Sequence, residues 1–232
     1  MTKRVAIIQA RMTSTRLPGK VLMDVAGRPM LSQQLRRLNR CQTLDEIVVA
    51  TTVNDDDDPV VRLADSEGVR WFRGSEHDVL ERYALAAAEA EADVVTRLTA
   101  DCPLIDPEQT DAVVNRLTLG SVTYDYCSNV VRRTLPRGLD SEALWRDCLD
   151  RVHRVAQSRE AREHVTWFIL RERPDLFQMG SVEDPEDNSD LSWTVDTAED
   201  LERVRLIYSR RGLGEGFLDY RETLRQVRGS MQ

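Results

Sequence analysis

The chain has 232 residues, of which 41% are hydrophobic and 31% charged, a composition typical of a soluble enzyme with one large α/β domain. No apolar run approaches the roughly 18 residues that a membrane span needs, and the run at residues 5–8 is too short for a signal peptide. We therefore expect a cytoplasmic protein. Its four cysteines are widely spaced and form no Cys-x-x-Cys pair, which predicts reduced thiols and no structural zinc.

The formal charge of −8 is distributed unevenly along the chain. Residues 1–40 hold nine basic side chains and one acid, a net charge of +8, whereas the remainder carries −16. This asymmetry indicates a local anion site near the N-terminus and argues against a broad nucleic-acid surface, because most of the chain would repel phosphates. Arg36, Arg37 and Arg40 are typical of the solvated face of a helix, while the cations at residues 11–20 lie close together in a loop.

Strands and helices are predicted to alternate through the first half of the chain. Apolar, β-branched runs predict strands at residues 5–8, 46–52, 69–72 and 93–98. Helical spacing predicts helices at residues 29–40, 59–67, 78–92 and 106–119. This order indicates βαβ units in a mostly parallel, doubly wound sheet that binds ligands at the carboxyl ends of its strands. The acidic run at residues 55–58 precedes a proline-led helix, where it favours the helix dipole, and we interpret it as structural rather than metal-binding.

The regular alternation is lost after residue 120. The pattern predicts a strand at residues 122–127, helices at 141–155 and 159–173, a strand at 192–195 and a helix at 197–210. Thr197 opens the last helix with Asp200 three residues later, which resembles a capping box.

The loop after the first strand, residues 9–20 (QARMTSTRLPGK), concentrates three cations, three hydroxyls and a glycine. Backbone N–H groups of such a loop can surround phosphate oxygens, arginine offers a bidentate fork, and lysine can follow a leaving pyrophosphate. The loop is not a Walker motif, because Val21 follows Gly19 and Lys20 and the upstream glycine is missing. On composition alone, a polyphosphate site and a solvated basic turn have nearly equal support.

An ordered set of motifs resembles a known family. Ala10-Arg11 and residues 14–20, followed by GRPM at residues 27–30, are similar to the nucleotide-binding signature of the cytidylyltransferases that activate Kdo and neuraminic-type acid sugars. The longer pattern resembles the spore-coat polysaccharide biosynthesis protein F group of that superfamily. Further matching motifs are VATT at 49–52, RGS at 73–75, DVLERY at 78–83, RLTADCPLID at 97–106, PRGLD at 136–140, EHVT at 163–166 and TVDT at 194–197.

The resemblance implies an α/β, Rossmann-like nucleotidyltransferase fold of glycosyltransferase-A type, with a mostly parallel doubly wound sheet and a dimerisation element. It implies one domain over residues 1–232, with a nucleotide-binding half at 1–120, an acceptor-binding and dimerisation element at 121–190, and a return strand with C-terminal helices at 191–232. The implied reaction transfers CMP from CTP to an acidic, sugar-like acceptor and releases pyrophosphate, with Mg²⁺ as cofactor. The implied partners are CTP, the acceptor and a second copy in a homodimer, with no nucleic acid or membrane.

The resemblance also implies which residues form the site. The catalytic cations would be Arg11, Arg16 and Lys20, which bind the triphosphate. The other nucleotide-binding residues would be Ala10, Ser14, Thr15, Arg73 and Asp101, with Arg73 near the cytosine. Asp101 and Asp196 would hold Mg²⁺. Each carboxylate has a structural alternative when taken alone: Asp101 could be a turn residue and Asp196 a helix cap. Because both follow a predicted strand, the two taken together favour a metal site.

Arg137, Asp140 and His164 are the candidate acceptor-binding residues. Arg137 suits a carboxylate or phosphonate on the acceptor. An equally supported alternative is that residues 136–140 form a proline-glycine turn in which Asp140 caps the next helix. For His164 the alternative is a packed histidine on a helix. Gln9 and Cys102 stand where many acid-sugar enzymes have a proline and an acid, so Kdo, a nonulosonic acid, another sugar and a small phosphonate all stay open. Competing functions are a sugar-nucleotide-dependent glycosyltransferase and a non-catalytic CTP-binding protein, which pyrophosphate release would distinguish.

Overall fold

The computed structural model describes residues 2–211 and 216–229. Within them, the strands are β1 (Arg4–Gln9), β2 (Asp24–Val25), β3 (Arg28–Pro29), β4 (Glu46–Thr52), β5 (Arg70–Gly74), β6 (Val94–Thr99), β7 (Tyr126–Ser128), β8 (Glu142–Trp145) and β9 (Met179–Ser181). The α-helices are α1 (Met30–Leu38), α2 (Asp58–Ser66), α3 (Val79–Glu89), α4 (Pro107–Thr118), α5 (Arg146–Val155), α6 (Arg159–Glu163), α7 (Ala198–Arg211) and α8 (Tyr220–Gly229). The remaining helical turns are 3-10 turns at Lys20–Leu22, Asp55–Asp57 and Pro174–Leu176 and a π-helical turn at Phe168–Glu172.

Seven of the strands form one sheet in the order β5-β4-β1-β6-β8-β7-β9. The first four are parallel, β8 runs antiparallel to both β6 and β7, and β9 is parallel to β7. The predicted α/β class with a mostly parallel sheet is therefore confirmed. Because β1 lies between β4 and β6, the loop that follows β1 begins at the centre of the carboxyl edge.

The strands of the first half are buried on both faces. In β1, Val5 and Ile7 pack into the core on the side of α3 and α5, whereas Ala6 and Ile8 pack into the core on the side of α1 and α2. This explains why β1 has a continuous apolar run rather than an alternating pattern. In the part of the chain that the structure describes, no helix is long and apolar enough to cross a bilayer.

Predicted helix caps form as expected. Asp106 accepts a hydrogen bond from the Gln109 amide at 3.0 Å at the start of α4. Before α7, Asp200 Oδ2 accepts from the Thr197 amide at 2.9 Å and Thr197 Oγ1 accepts from the Asp200 amide at 3.2 Å, which completes the capping box.

Arg37 corrects the interpretation of α1 as carrying a solvated basic face. Its side chain is buried, Nε donates to the Ile105 carbonyl at 2.6 Å, and Nη2 donates to the Leu218 carbonyl at 3.0 Å. The guanidinium also lies 4.6 Å from the centre of the Phe217 ring. Its function is therefore to join α1 to the segment before α8.

Two predictions for the second half were wrong. Residues 141–145 were expected to begin a helix, but Glu142–Trp145 forms β8, which pairs with β6 and β7, and the helix begins only at Arg146. Pairing on both edges outweighs the helical preference of Glu, Ala and Leu here. Residues 192–195 were expected to form a strand, but only Ser192 makes a β-bridge, to Arg137.

Two further predictions are correct only in part. The strand expected at residues 122–127 is confined to Tyr126–Ser128. The helix expected at residues 159–173 ends at Glu163 and gives way to a turn in which Val165 has a φ of 48°, a left-handed conformation that β-branched residues rarely adopt. The short β2–β3 hairpin was missed; its turn residues Ala26 and Gly27 have φ of 53° and 80°.

Candidate functional site

A cleft of about 890 Å³ opens at the carboxyl ends of β1 and β6. One wall comes from the loop after β1, a second from the loop after β5 and the start of α3, and a third from α6. The side chains of interest that line it are Arg11, Ser14, Thr15, Arg16, Lys20, Glu76, Arg82, Asp101, Arg159, Glu163, His164 and Asp196. Ala10 also lines it, so every predicted residue of the loop reaches the cleft.

The loop after β1 is closed onto itself around Met12. The Met12 carbonyl accepts hydrogen bonds from the amides of Ser14 at 2.9 Å and Gly19 at 2.8 Å. Gly19 has a φ of 71°, which glycine adopts without strain. The loop is therefore a closed turn, stabilised by its own backbone hydrogen bonds, that carries the basic side chains of Arg11, Arg16 and Lys20 into the cleft.

Asp57 anchors this loop from below, a role that the sequence did not indicate. Its carboxylate is fully buried, accepts from the Met12 amide at 2.6 Å, and also accepts from the hydroxyl of Thr52 at the end of β4. The structural interpretation of the acidic run at residues 55–58 holds for Asp57, but the reason is loop anchoring, because a hydrogen bond to a buried carboxylate fixes both partners.

Lys20 is the centre of the ionic contacts in the cleft. Its ammonium is mostly buried and donates to Asp196 Oδ1 at 3.0 Å and to the Val195 carbonyl at 2.7 Å. Asp101 Oδ2 lies 3.5 Å from the same Nζ atom. Lys20 is thus a shared ionic partner of the two carboxylates that were predicted to bind metal.

Asp101 and Asp196 meet as predicted, but not for the predicted reason. Asp101 does follow β6, whereas Asp196 follows an irregular segment that is held in place because the Val195 amide donates to the Asp101 carbonyl at 2.9 Å. The hydroxyl of Thr99 donates to Asp101 Oδ1 at 2.6 Å, and Arg16 Nη2 lies 2.9 Å from Asp196 Oδ1. Each carboxylate is oriented and keeps part of its surface open to the cleft.

Cys102 also contacts Asp101, with Sγ 3.4 Å from Oδ1. Burial, together with the charges of Asp101 and Asp140, raises the pKa of the Cys102 thiol well above its usual value. The thiol is therefore neutral and acts as a weak donor to Asp101, not as a nucleophile.

Arg73 lies outside the cleft lining. Its guanidinium donates to the carbonyls of Thr52 at 2.8 Å and Asn54 at 2.6 Å, and to Asp58 Oδ1 at 2.7 Å. These contacts fix the loop between β4 and α2, which carries Asp57. Direct contact between Arg73 and a base stays a prediction, and this geometry does not favour it.

The three residues that were predicted to bind the acceptor do not lie together in the structure. Arg137 and Asp140 are not among the cleft-lining residues, and Asp140 forms a two-pronged ion pair with Arg133 at 2.6 and 2.7 Å. Asp140 is not a helix cap either, because β8 follows it. Gly138, with a φ of 99°, packs so closely that a Cβ atom would lie 2.7 Å from the carbonyl carbon of Trp193. Of the three, only His164 lines the cleft; it is exposed, and its ring centre lies 5.9 Å from that of Trp167.

A buried network holds the turn that carries His164. The Glu142 carboxylate on β8 accepts from the hydroxyls of Thr166 at 2.6 Å and Tyr126 at 2.5 Å and pairs with Arg97 on β6. Burial lowers the pKa of the Arg97 guanidinium, but the neighbouring Glu142 carboxylate raises it by more, so the pKa is raised and Arg97 stays charged. These contacts hold Thr166 next to the left-handed Val165, so the position of His164 depends on the sheet below it.

Of the cleft side chains named above, four were missed by the sequence analysis: Glu76, Arg82, Arg159 and Glu163. Glu76 receives hydrogen bonds from the Thr13 hydroxyl at 2.9 Å and from Asn54 Nδ2 at 2.6 Å, which lower its pKa with help from Arg11. Arg82 lies buried at the base of the cleft, and Arg159 stands exposed at the start of α6. Arg82 lies in the quoted DVLERY motif, but a helical arginine gives no sequence signal that separates a binding residue from a surface one.

A parallel α/β sheet with a cation-rich loop after its first strand, facing two carboxylates at the same edge, defines the class of nucleotidyltransferases that handle a nucleoside triphosphate. The model of the cytidylyltransferase family matches residues 5–228, and the chain belongs to that family. It is a CTP-utilising nucleotidyltransferase, as the sequence motifs predicted.

Relatives and a solved structure agree with this assignment. The chain is 33% identical over 213 residues to the spore coat polysaccharide biosynthesis protein SpsF of Bacillus subtilis, covering 89% of this chain and 86% of that protein. It is 37% identical over 111 residues to a 3-deoxy-manno-octulosonate cytidylyltransferase of Geobacter sulfurreducens, covering 47% and 43% of the two chains. A cytidylyltransferase structure from Leptospira borgpetersenii superposes with a TM-score of 0.94 at 31% identity, covering 100% of this chain and 96% of that one.

Proposed function

We propose that the protein transfers CMP from CTP to an acidic, sugar-like acceptor and releases pyrophosphate, with Mg²⁺ as cofactor. The observation that carries the proposal is the single cleft in which the cations of the loop after β1 face Asp101 and Asp196. We further propose that residues 1–232 act as one nucleotidyltransferase domain, because side chains from residue 9 to residue 196 line that cleft.

The reaction needs positioning and charge neutralisation rather than a covalent intermediate. A hydroxyl of the acceptor attacks the α-phosphorus, a P–O bond forms there, and the bond from the α-phosphorus to the oxygen of the leaving pyrophosphate breaks. The hydroxyl proton passes to water or to a cleft carboxylate. Arg11, Arg16 and Lys20 neutralise the charge that builds on the pyrophosphate, which lowers the barrier because charge is greatest near the transition state.

Asp101 and Asp196 fit a magnesium ion. Both are oxygen donors that lie within 3.5 Å of one ammonium group, so both already face a common cationic position. Among the described residues no group of three or more potential metal ligands exists, which suits Mg²⁺ because it takes one or two carboxylates and completes its shell with phosphate oxygens and water. When bound, the ion would supply further neutralisation of the phosphate oxygens.

For the acceptor, we keep His164 and propose Arg159 in place of Arg137 and Asp140. Arg159 and His164 belong to the wall formed by α6 and the turn after it. No carboxylate of the described chain lies within 4 Å of the Arg159 guanidinium, so it is available to an acidic substituent. The similarity to a spore coat polysaccharide biosynthesis protein supports a sugar-like acceptor that enters a polysaccharide.

The test is a screen of four nucleoside triphosphates against acid sugars, neutral sugar phosphates and small phosphonates, with pyrophosphate release as the readout. We expect Mg²⁺-dependent release with CTP and an acidic sugar only. Release of CMP from a CMP-sugar or of UDP from a UDP-sugar, without pyrophosphate, would show a glycosyltransferase instead. Tight CTP binding without turnover on any acceptor would contradict the proposal.

We also propose a homodimer formed through residues 122–190. Four large apolar side chains on this part of the chain are at least one-third exposed: Val122, Val155, Trp167 and Leu176. Exposed apolar side chains also occur elsewhere on the described chain, so the support for this segment is that it departs from the regular βα alternation and that a twofold pair is the commonest oligomer.

A further inference from the structure

Arg82 on α3 is a buried cation whose partners in the protein are too few. Its side chain is 1% exposed, yet it lines the cleft. One hydrogen bond is formed, from Nη1 to the Ser75 carbonyl at 2.6 Å, and Nε is buried without any partner among the described residues. Arg73, by comparison, uses all three of its guanidinium nitrogens on acceptors of the protein.

The environment of Arg82 makes this shortage costly. Burial has the largest influence and lowers the pKa of its guanidinium, and the charge of Arg11 lowers it further, against opposing effects of Tyr83, Asp57 and Glu76. No carboxylate of the described residues lies within 4 Å of it. A buried charge without a partner is strongly unfavourable, so a cleft that keeps one is built for a ligand that supplies the missing acceptors.

The position of Arg82 indicates which part of the nucleotide supplies them. It lies beside the loop after β5, whereas Lys20, Asp101 and Asp196 meet on the β6 side of the cleft. The same wall presents the Ser75 carbonyl and the Glu76 carboxylate, whose lowered pKa keeps it charged. Both oxygens repel a phosphate group but accept hydrogen bonds from an exocyclic amino group, so this wall suits a base.

Gly74 permits the close packing that places Arg82. A Cβ atom at this position would lie 3.0 Å from Arg82 Cγ and 3.0 Å from Phe72 Cε1. A glycine is therefore required at position 74 for steric reasons, because it lets the side chain of Arg82 pack against the end of β5.

We propose that Arg82 is the residue that selects cytosine, by donating its free N–H groups to the adjacent acceptors O2 and N3 of the base. Uracil has a donor at N3, which would face the guanidinium donors and leave a buried cation unsatisfied. A site that hydrogen-bonds one base edge in this way discriminates strongly against the base that lacks the acceptor. The inference rests on the use of CTP by the protein.

The experiment compares Arg82→Met, Arg82→Lys, Arg73→Met and Arg159→Met with the wild-type chain. The ratio of kcat/KM for CTP to that for UTP is measured, together with calorimetric binding of pyrophosphate and the melting temperature. We expect Arg82→Met to lower the ratio at least about tenfold, as loss of a charge-assisted hydrogen bond predicts, while pyrophosphate binding stays within about threefold of wild type. Arg82→Lys keeps the charge but loses the planar fork and should lower the ratio as well.

Arg159→Met is the matched control for an arginine elsewhere in the cleft, and it should change the KM of the acceptor without changing the CTP/UTP ratio. Equal losses for CTP, UTP and pyrophosphate in Arg82→Met would overturn the inference in favour of a phosphate-binding or purely structural role. So would loss of the ratio in Arg73→Met but not in either Arg82 variant. If the wild-type chain used UTP as well as CTP, the protein would not select cytosine and this inference would fail. If it released no pyrophosphate with any nucleotide, the proposed function would fail instead.

Discussion

Replacing Lys20 with methionine should have opposite effects on metal binding and on turnover. The ammonium contacts Asp196 Oδ1 at 3.0 Å, Asp101 Oδ2 at 3.5 Å and the Val195 carbonyl at 2.7 Å, and methionine keeps most of the apolar stem without the ammonium group. In the variant, Asp101 loses its lysine partner and Asp196 keeps only Arg16. A divalent cation should then bind in the absence of nucleotide more tightly than it does in the wild-type protein.

The size of the effects follows from these contacts. Losing a hydrogen bond to a charged group costs about 1.5 to 3 kcal/mol, so the loss of the lysine contact to the triphosphate should lower kcat/KM for CTP by about 10- to 150-fold. The stability loss should be smaller, about 1 to 3 kcal/mol, because Asp101 and Asp196 are 24% and 29% exposed. For a chain of this size, that corresponds to roughly 2 to 12 °C in Tm.

The assay pairs Mg²⁺-dependent pyrophosphate release with Tm measured over a Mg²⁺ titration without nucleotide. Lys3→Met is the matched control, since Lys3 is the other lysine of the chain and pairs with Glu46 at 2.7 Å far from the cleft. We expect Mg²⁺ to recover most of the stability lost in Lys20→Met and to leave Lys3→Met unchanged. An equal Mg²⁺ response in both variants, or near-normal turnover in Lys20→Met, would refute this view of Lys20 as the internal counter-ion.

Four further predictions follow from the site and its supports. Asp101→Asn and Asp196→Asn should each lower pyrophosphate release by about a hundredfold or more, with a smaller change in Tm than Lys20→Met because the amide oxygen still accepts a hydrogen bond. Glu199→Gln, on an exposed side chain, should change neither, and normal activity in Asp196→Asn would contradict its proposed role in metal binding. Hydrogen bonds from Thr13 and Asn54 lower the pKa of Glu76, so the ionised Glu76 stabilises the folded protein above the usual glutamate pKa of about 4.3, and this stabilisation is lost as the pH falls through the lower pKa of the folded state. The difference in Tm between wild type and Glu76→Gln should therefore shrink from pH 7 to about pH 3. A difference that stays constant over this range would contradict the role of Glu76. Gly138→Ala should destabilise the protein and impair turnover. Gly68 has a φ of 67° but open space around it, so Gly68→Ala should show only the smaller cost of the backbone conformation. Equal effects of the two substitutions would contradict a role for close packing at Gly138. Light scattering should give a dimer mass at micromolar concentration, and a monomer mass would exclude the proposed interface.

The parts of the fold that could be predicted are those in which local pattern and tertiary context agree. β1 and β4 are apolar, β-branched runs buried on both faces, and the caps at Asp106 and Thr197 satisfy amides within their own helix. β8 was missed because Glu142–Trp145 has the composition of a helix and becomes a strand only through pairing with β6 and β7. The local sequence gives no indication of that strand pairing.

The same limit applies to the candidate site. The loop after β1 could be identified because its cations are contiguous in sequence, and motif order added Asp101, Asp196 and His164. Asp57 and Arg82 could not be identified, since their functions depend on burial: one is buried under Met12, and the other lies at the base of the cleft with an unpaired nitrogen. Burial of a polar side chain is a tertiary property that leaves no mark in the local pattern.

The motif at residues 136–140 joins these two observations. It was expected to bind the acceptor, yet Asp140 is paired with Arg133, and Gly138 lets the backbone of residues 193 and 194 approach. The Arg137 amide donates to the Leu191 carbonyl at 3.1 Å, and the Trp193 amide donates to the Arg137 carbonyl at 2.7 Å. These contacts fix the segment that ends at Asp196, so this motif positions the Asp196 carboxylate next to Asp101 through backbone contacts alone.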